Sequence, residues 1–429
     1  MSDRAILHSD ANGFYASVEM VLDPELREKA VAVCGSVEDR HGIILAKSEK
    51  AKKSGVKTGM AAWQACQACP DVILVPPHYD YYVKFSKMIQ KIYARYTDMI
   101  EPFGMDECWL DVTHSPLEPM EIAERIRREV KDELALTVSI GVSFNKVFAK
   151  LGSDMKKPDA ITEITRDNFK EKVWCLPCSE LLYCGRATTQ KLESIGVQTI
   201  GQLACLSTDI LKHKLGKNGL LLWNYANGLD TSRVAHEVYS APAKSVGHGI
   251  TCTEDLMDVS EAQKVIFALS QDIGAKLRQM GLRARGVHLS VRDNELHTMG
   301  WQAQLKLPTQ DELDIANEAF NILVSNYDWK KNVRSLTVTA INLENEGEPM
   351  QLSFSDAPIK GKREVLTRTI DEIHRLFGKD SILPALIIDE KRCPTVFAKS
   401  LSCPDGCTCK KLVYKDNILS STLEKRQVV

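Results

Sequence analysis

The sequence has no apolar run near the roughly 20 residues that a membrane-spanning helix needs. It also lacks the pattern of a signal peptide, because Asp3, Arg4, His8 and Asp10 all fall within its first ten residues. Its 13 cysteines form no repeated framework, which is typical of reduced thiols rather than of disulfides. From these absences we expect a cytoplasmic protein.

The sequence also lacks a net positive charge. Its 55 lysines and arginines face 57 aspartates and glutamates, which gives a formal net charge of −2. Any surface that binds nucleic acid must therefore be a local patch. At 429 residues the chain is too long for one compact core, and we expect roughly two to four domains.

Two adjacent carboxylates, Asp106 and Glu107, interrupt an apolar segment of strand length that runs from Phe103 to Asp111. Burying two charges that repel each other is costly unless a cation lies between them. Another short apolar run ends at Asp10, so three carboxylates can meet at the edge of one sheet. Hard divalent ions such as Mg²⁺ prefer all-oxygen sites of this kind. An exposed acidic strand end is the alternative interpretation of the pair alone.

Strands and helices alternate in the first part of the chain. In the helix predicted after Tyr79, the residues Val83, Met88, Ile92 and Tyr96 are spaced to share one buried face. The order of elements favours an α+β sheet domain of the ferredoxin-like kind. The predicted elements are a strand over 29–35, helices over 48–55 and 79–96, the carboxylate strand over 103–111, a helix over 119–134 and a strand over 137–142.

After Pro158 the sequence changes to short helical segments separated by glycines. A polar linker over about 231–244 leads to a second mixed segment. There we predict a long helix over 260–280 and strands over 287–292 and 335–343, followed by a charged tail.

Three motifs occur in order along the chain. Residues 10–19 are Asp-Ala-Asn-Gly-Phe-Tyr-Ala-Ser-Val-Glu, residues 105–107 are Met-Asp-Glu, and residues 143–146 are Ser-Phe-Asn-Lys, followed at 155–160 by Met-Lys-Lys-Pro-Asp-Ala. Together they resemble the Y-family, or translesion, DNA polymerases, and among these the bacterial polymerase IV type. The resemblance implies a multidomain α+β fold shaped like a right hand, with a ferredoxin-like palm, small fingers, a helical thumb and an α/β little finger.

The resemblance also implies domain boundaries and an activity. We expect a monomeric polymerase that adds deoxynucleotides to the primer 3′ end of primer–template DNA, in low-fidelity translesion synthesis during repair. The implied domains are a palm over 1–165 with fingers inserted at about 17–77, a thumb over 166–231, a linker over 232–244, a little finger over 245–346 and a tail over 347–429.

Two-metal chemistry matches the three carboxylates, because one ion activates the attacking hydroxyl and the second holds the triphosphate. By the family's pattern, Asp10 and Asp106 bridge two Mg²⁺ ions, for which Mn²⁺ can substitute. Glu107 would hold the ion beside the attacking hydroxyl. The carbonyl of Ala11 would complete the site of the ion on the nucleotide side.

The incoming deoxynucleoside triphosphate requires cations and a sugar contact. Lys52 and Lys157 match the family's triphosphate-binding positions, although either stretch alone is typical of a solvated helix face. Many relatives carry a tyrosine where this chain has Glu49. Tyr15 matches the family's steric gate against a 2′-hydroxyl, and we expect the neighbouring Phe14, which borders the nucleotide site, to belong to the core.

Residues 182–203 resemble a helix-hairpin-helix, although Tyr183 replaces the first of its two usual glycines. Such a motif offers amide donors to a DNA phosphate without reading sequence, and a plain helical connector is the alternative. Basic segments at the edges of the little finger would supply the local patch. The implied DNA-binding residues are Gly185, Arg186, Lys244, Arg283 and Arg285.

Past the little finger, Gln351, Leu352 and Phe354 resemble a sliding-clamp peptide, with an unremarkable linker as the alternative. Further on, four cysteines lack the paired Cys-x-x-Cys spacing of a Zn²⁺ knuckle, so we expect reduced thiols there. These cysteines are Cys393, Cys403, Cys407 and Cys409.

Two other functions fit parts of the sequence. One is a non-catalytic factor that binds DNA or a clamp on the same scaffold, and the other is a cyclase or another two-metal nucleotidyltransferase. The presence of all three carboxylates favours catalysis over the first. The helix-hairpin-helix and little-finger segments favour DNA over the second.

Overall fold

The computed structural model describes residues 4–38, 40–239, 242–349, 357–378 and 381–387, leaving aside the side chains of 357–360. The chain divides into two compact units, Met1–Pro242 and Ala243–Val429. Among the described residues, no helix is long and apolar enough to cross a membrane.

The first unit contains eight strands and eleven α-helices among its described residues. They are β1 (Ile6–Ala11), α1 (Phe14–Leu22), β2 (Val31–Cys34), β3 (Ile44–Lys47), α2 (Glu49–Lys53), α3 (Ala62–Ala68), β4 (Ile73–Val75), α4 (Tyr79–Tyr93), β5 (Ile100–Phe103), β6 (Glu107–Asp111), α5 (Pro119–Leu134), β7 (Val138–Ser143), α6 (Lys146–Met155), β8 (Ile161–Ile164), α7 (Phe169–Val173), α8 (Arg186–Glu193), α9 (Ile200–Cys205), α10 (Thr208–Leu215) and α11 (Lys217–Ala226).

A five-stranded sheet with the order β5-β6-β1-β7-β8 forms the centre of the first unit. Strand β1 pairs antiparallel with both β6 and β7, and all of its residues are buried. On one face, Leu7 and Leu110 join the core formed with α4 and α5. On the other face, Ile6 and Trp109 meet Ala149 of α6. Because side chains alternate along a strand, every second side chain of β1, including that of Asp10, points towards α6.

Two smaller parts complete this unit. The sheet β3-β2-β4 packs with α2 and α3 around Ala32, Ile44 and Ala65. Helices α7 to α11 share a separate core that includes Leu192 and Leu222.

The second unit is a four-stranded antiparallel sheet with helices on one face. Its elements are β9 (Ser245–Leu256), α12 (Val259–Met280), β10 (Leu282–Asp293), β11 (Thr298–Thr309), α13 (Glu312–Asn326), β12 (Val333–Asn345) and α14 (Ala357–Phe377). The strand order is β11-β10-β12-β9. Asp258 caps the start of α12, accepting a hydrogen bond from the Glu261 amide at 2.9 Å. Arg278 joins α12 to α14 through an ion pair with Asp371 at 2.6 Å.

The structure corrects three predictions about these elements. The segment 103–111 is not one strand but the end of β5, a turn and β6, because Gly104 adopts a left-handed φ of 88° that ends the first strand. In α4 the buried face contains Tyr82 and Ile89, whereas Val83 is 41% exposed. The sequence pattern missed Tyr82 because its polar hydroxyl is satisfied by buried Glu19.

The third correction concerns the segment predicted as a charged tail, which contains α14. Its ion pairs to the sheet domain are long-range contacts that local sequence patterns do not reveal. Strand β11 and helix α13 also went unpredicted.

Candidate active site

The end of β1 and the start of β6 bring the predicted metal-binding carboxylates to one edge of the central sheet. Asp10 is the register partner of Glu107, and the amide of Ala11 donates to the carbonyl of Asp106 at 2.9 Å. Asp106 therefore belongs to the turn before β6 rather than to the strand. The pairing of β1 with β6 fixes the relative positions of all three residues.

Burial changes the protonation of two of these carboxyls. Burial raises the pKa of Asp10 to about 6, although Lys157 opposes this change. Burial, followed by the negative charge of Glu107, also raises the pKa of Asp106. A cation bound nearby would therefore lower the pKa of both carboxyls by stabilising their ionised forms.

Glu107 behaves in the opposite way because it has two close neighbours, His8 and Lys150. Burial alone would raise its pKa, but these neighbours outweigh burial and lower the pKa to about 2. The Nε2 atom of His8 lies 3.3 Å from Glu107 Oε2, and Lys150 forms an ion pair with the same oxygen.

His8 was not predicted as a functional residue. It is fully buried, its Nδ1 lies 2.8 Å from Ser153 Oγ, and its ring packs edge-on against Trp109. Burial lowers its pKa. The available signal was its position two residues before Asp10, which places both side chains on the α6 face of one strand.

The lysine Lys157 contacts the site directly. Its Nζ donates to Asp10 Oδ2 at 2.7 Å and lies 2.8 Å from Asp154 Oδ1. Lys52 is exposed and lies 3.4 Å from Glu49, so the structure does not bring it into contact with the carboxylates.

The donor chemistry fits hard divalent cations, since it consists of three carboxylates and a backbone carbonyl. Within the described part of the chain, no three Asp, Glu, His or Cys side chains are gathered closely enough to hold a metal ion. Instead, Lys157 and Lys150 neutralise Asp10 and Glu107. The side chain of Asn12 is used structurally, because it donates to Ser139 Oγ at 2.9 Å and accepts from the Asp159 amide.

Tyr15 lies beside the turn that carries Asp106. Its ring stacks on Tyr82 with centroids 4.3 Å apart, and its hydroxyl approaches Met105 Sδ at 3.9 Å. Burial, with smaller effects of Tyr79 and Asp106, raises its pKa. Phe14 is 3% exposed and belongs to the core of the central sheet, as the sequence predicted.

The predicted DNA-binding residues differ in whether they are free to contact a DNA phosphate. Gly185 caps α8 and Arg186 begins it, while the preceding Tyr183 adopts a left-handed φ of 65° in the position where a glycine is usual. Lys244 is exposed. Arg285, however, forms an ion pair with Glu344.

Arg283 points into the second unit, where it lines a small cavity with residues of α14. Its Nε is buried and has no hydrogen-bond partner among the described residues. Arg285 is therefore neutralised by Glu344, whereas Arg283 is partly buried and forms no ion pair with any described carboxylate. The clamp residues Gln351, Leu352 and Phe354 and the four C-terminal cysteines lie outside the described residues.

Family models match three segments of the chain. Residues 9–154 match the impB/mucB/samB family, and residues 243–354 match the C-terminal domain of that family. Residues 184–230 match a model described as the thumb domain of DNA polymerase-iota.

The chain is also similar to curated proteins over most of its length. It is 46% identical over 392 residues to a DNA polymerase IV of Acetivibrio thermocellus, covering 90% of this chain and 98% of that protein. It is 36% identical to DNA polymerase IV 1 of Bacillus subtilis, covering 87% and 91% of the two chains. A solved chimeric Y-family DNA polymerase, at 24% identity, aligns with a TM-score of 0.70 over 79% of this chain and 98% of its own, which shows a shared fold.

Proposed function

This chain belongs to the impB/mucB/samB family, the Y-family DNA polymerases, and from that premise we propose that Asp10, Asp106 and Glu107 bind the divalent cations of DNA synthesis. The protein is a DNA-directed DNA polymerase of the translesion type. The observation that carries the metal-site proposal is the register of β1 and β6, which opposes Asp10 to Glu107.

The carbonyl of Ala11 completes the proposed ligand set, with Mg²⁺ as the preferred ion and Mn²⁺ as a substitute. When bound, the two ions activate the primer 3′-hydroxyl and neutralise the triphosphate. The protein's own contribution is to hold three carboxylates and one backbone carbonyl in a partly buried position. The ion pair with Lys150 keeps Glu107 ionised, so that it is ready to bind a cation.

Lys157 is proposed to bind the triphosphate. Its ammonium group lies 2.7 Å from Asp10, so it can move to a phosphate oxygen once a metal ion takes over the charge of that carboxylate. Lys52, on the exposed face of α2, would act as a second point charge after the nucleotide binds.

Tyr15 is proposed to exclude ribonucleotides. Its stacking on Tyr82 fixes the ring beside the Asp106 turn, where the sugar of a metal-bound nucleotide would lie. A fixed ring rejects an extra hydroxyl by steric clash.

We propose that primer–template DNA is held by the Gly185–Arg186 helix start and by the little finger through Lys244, Arg283 and Arg285. Arg285 would have to exchange its ion pair with Glu344 for a phosphate, and Arg283 would have to turn out of the cavity that it lines. We further propose that Gln351, Leu352 and Phe354 bind a sliding clamp. The domain boundaries predicted above for the palm, thumb and little finger belong to the same proposal, as does a role in low-fidelity synthesis during repair.

Primer extension tests the catalytic proposal against the non-catalytic alternative. The isosteric change Asp106→Asn removes one ligand and relieves repulsion, so we expect a folded protein whose extension rate falls by about 100-fold or more. The matched control is Asp80→Asn, at an exposed position of α4, which should extend normally. Near-normal extension by a folded Asp106→Asn protein in Mg²⁺ would refute the assignment.

A further inference from the structure

A cavity of about 460 Å³ lies in the first unit beside the loop that follows Asp10. Asn12 and Gly13 of this loop line it, together with residues of α1, β3, α2 and the turn before β7. None of the three catalytic carboxylates lines it, nor do Lys52 and Lys157. The cavity is therefore a separate space that shares one wall with the proposed catalytic loop.

Five of the six charged residues that line this cavity are basic. They are Arg27, Lys29, Lys47, Lys50 and Lys53. Lys50 is neutralised by Glu28 at 2.7 Å, and the one lining carboxylate, Glu49, interacts with Lys52 at 3.4 Å.

The other four cations form no ion pair with any described carboxylate. Lys47 donates to the hydroxyl of Thr58 at 3.0 Å, and Arg27 donates to the carbonyl of Met20. Burial, with the positive charge of Lys52, lowers the pKa of Lys47. In a chain whose net charge is −2, this is a local excess of positive charge at a concave surface, which attracts anions.

Gly13 lets β3, which carries Lys47, pack closely against the loop that follows Asp10. A Cβ atom at Gly13 would lie 2.9 Å from the carbonyl oxygen of Lys47, which is too close for any side chain. The residue also adopts a left-handed φ of 53°. Glycine at this position therefore allows β3 and the start of α1 to touch, and one end of the cavity lies next to the loop that follows Asp10.

We propose that this cavity binds a pyrophosphate group, at a site distinct from the triphosphate contacts assigned to Lys52 and Lys157. A pyrophosphate group carries about three negative charges near neutral pH, which is closer to the charge of the four unpaired cations than the one to two charges of a single phosphate. The rest of the lining includes the apolar residues Met20, Val21 and Leu136.

Two ligands present a pyrophosphate group: the free pyrophosphate released by nucleotide addition and the tail of a nucleoside triphosphate. The choice of pyrophosphate rests on the polymerase function, since each addition releases one. The positive cavity itself does not depend on that function.

Binding is tested with the full-length chain by isothermal titration calorimetry of sodium pyrophosphate, in EDTA and at constant ionic strength. The cavity variant is Lys29→Gln/Lys53→Gln, in which both lysines are exposed and unpaired, so the fold is retained. Losing two charged hydrogen-bond donors should weaken binding about tenfold or more. The matched control is Lys84→Gln/Lys87→Gln on exposed positions of α4, which should bind as the wild type does.

A third variant, Lys52→Gln/Lys157→Gln, separates the two sites: the pyrophosphate binding that depends on Lys29 and Lys53 should persist in it, although the triphosphate contacts assigned above are lost. A parallel titration with dATP identifies the source, because a matching loss in the cavity variant indicates a nucleotide tail and an unchanged dATP affinity indicates the free product. The proposal is overturned if wild-type protein does not bind pyrophosphate, if the cavity variant binds equally well, or if only the Lys52→Gln/Lys157→Gln variant loses binding. Since no DNA, metal or turnover is involved, a chain inactive in primer extension can still pass or fail this test.

Discussion

Replacing Asp10 by asparagine should stabilise the metal-free protein at neutral pH. Asp10 is 9% exposed, and burial raises its pKa from 3.8 to about 6. At roughly 1.4 kcal/mol per pKa unit, this change corresponds to about 3 kcal/mol of unfolding free energy lost when the carboxyl ionises in the folded state. Asparagine resembles the protonated carboxyl, so it avoids that loss.

The pH dependence has a definite sign. Because the folded pKa is higher than the unfolded one, the stability contributed by protonated Asp10 is complete below about pH 4 and is lost as the pH rises through about 6. The difference in unfolding free energy between Asp10→Asn and wild type should therefore be near zero at pH 4 and reach its maximum above pH 6.

Urea unfolding in EDTA at several pH values between 4 and 8 measures this difference, with Asp80→Asn as the exposed control. Adding Mg²⁺ at pH 7.5 should recover stability in the wild type and not in Asp10→Asn. A variant that is less stable than wild type at pH 7.5, or a difference that does not change with pH, would refute the electrostatic reasoning.

Three further changes test other parts of the site. Tyr15→Ala should incorporate ribonucleotides far more readily in single-nucleotide assays, with a smaller loss for deoxynucleotides, whereas Phe14→Ala should mainly lower the melting temperature; an unaltered sugar preference in Tyr15→Ala would assign the gate to another residue. His8→Leu removes a neighbour of the proposed ligand Glu107 and should raise the Mg²⁺ concentration for half-maximal extension about tenfold, while DNA affinity measured by fluorescence anisotropy stays constant. An unchanged Mg²⁺ requirement would mean that His8 contributes only to the packing of the core. Tyr183→Gly relieves a left-handed φ of 65° and should raise the unfolding free energy by about 0.5–1 kcal/mol. The rings of Tyr183 and Tyr225 lie 6.4 Å apart between centroids, and a lower unfolding free energy in the variant would show that this contact matters more.

The sequence indicated the sheet and the three carboxylates because their signals are local. Helix α5 has the predicted bounds, since its apolar spacing and its starting proline are both visible in the sequence. Asp10 and Asp106 were recognisable from short motifs. The turn at Asp106 was less visible, because a single glycine within an apolar run is compatible with either a strand or a hairpin.

Contacts between distant segments could not be predicted. The pairing of His8 with Glu107 depends on β-sheet register, and the partnership of Arg285 with Glu344 depends on the pairing of β10 with β12. The four unpaired cations of the cavity come from three separate segments, the loop before β2, β3 and α2, each of which alone is typical of a solvated surface. Tertiary structure decides which of these charges are neutralised.

Counting bound cations tests the central assignment most directly. Electron paramagnetic resonance of Mn²⁺ can be recorded on the full-length chain with primer–template DNA and a non-hydrolysable deoxynucleotide. We expect about two ions per wild-type complex, the same number for Asp80→Asn, and clearly weaker binding for Asp106→Asn. Equal Mn²⁺ binding by all three proteins would contradict the assignment of Asp10, Asp106 and Glu107 as the metal site.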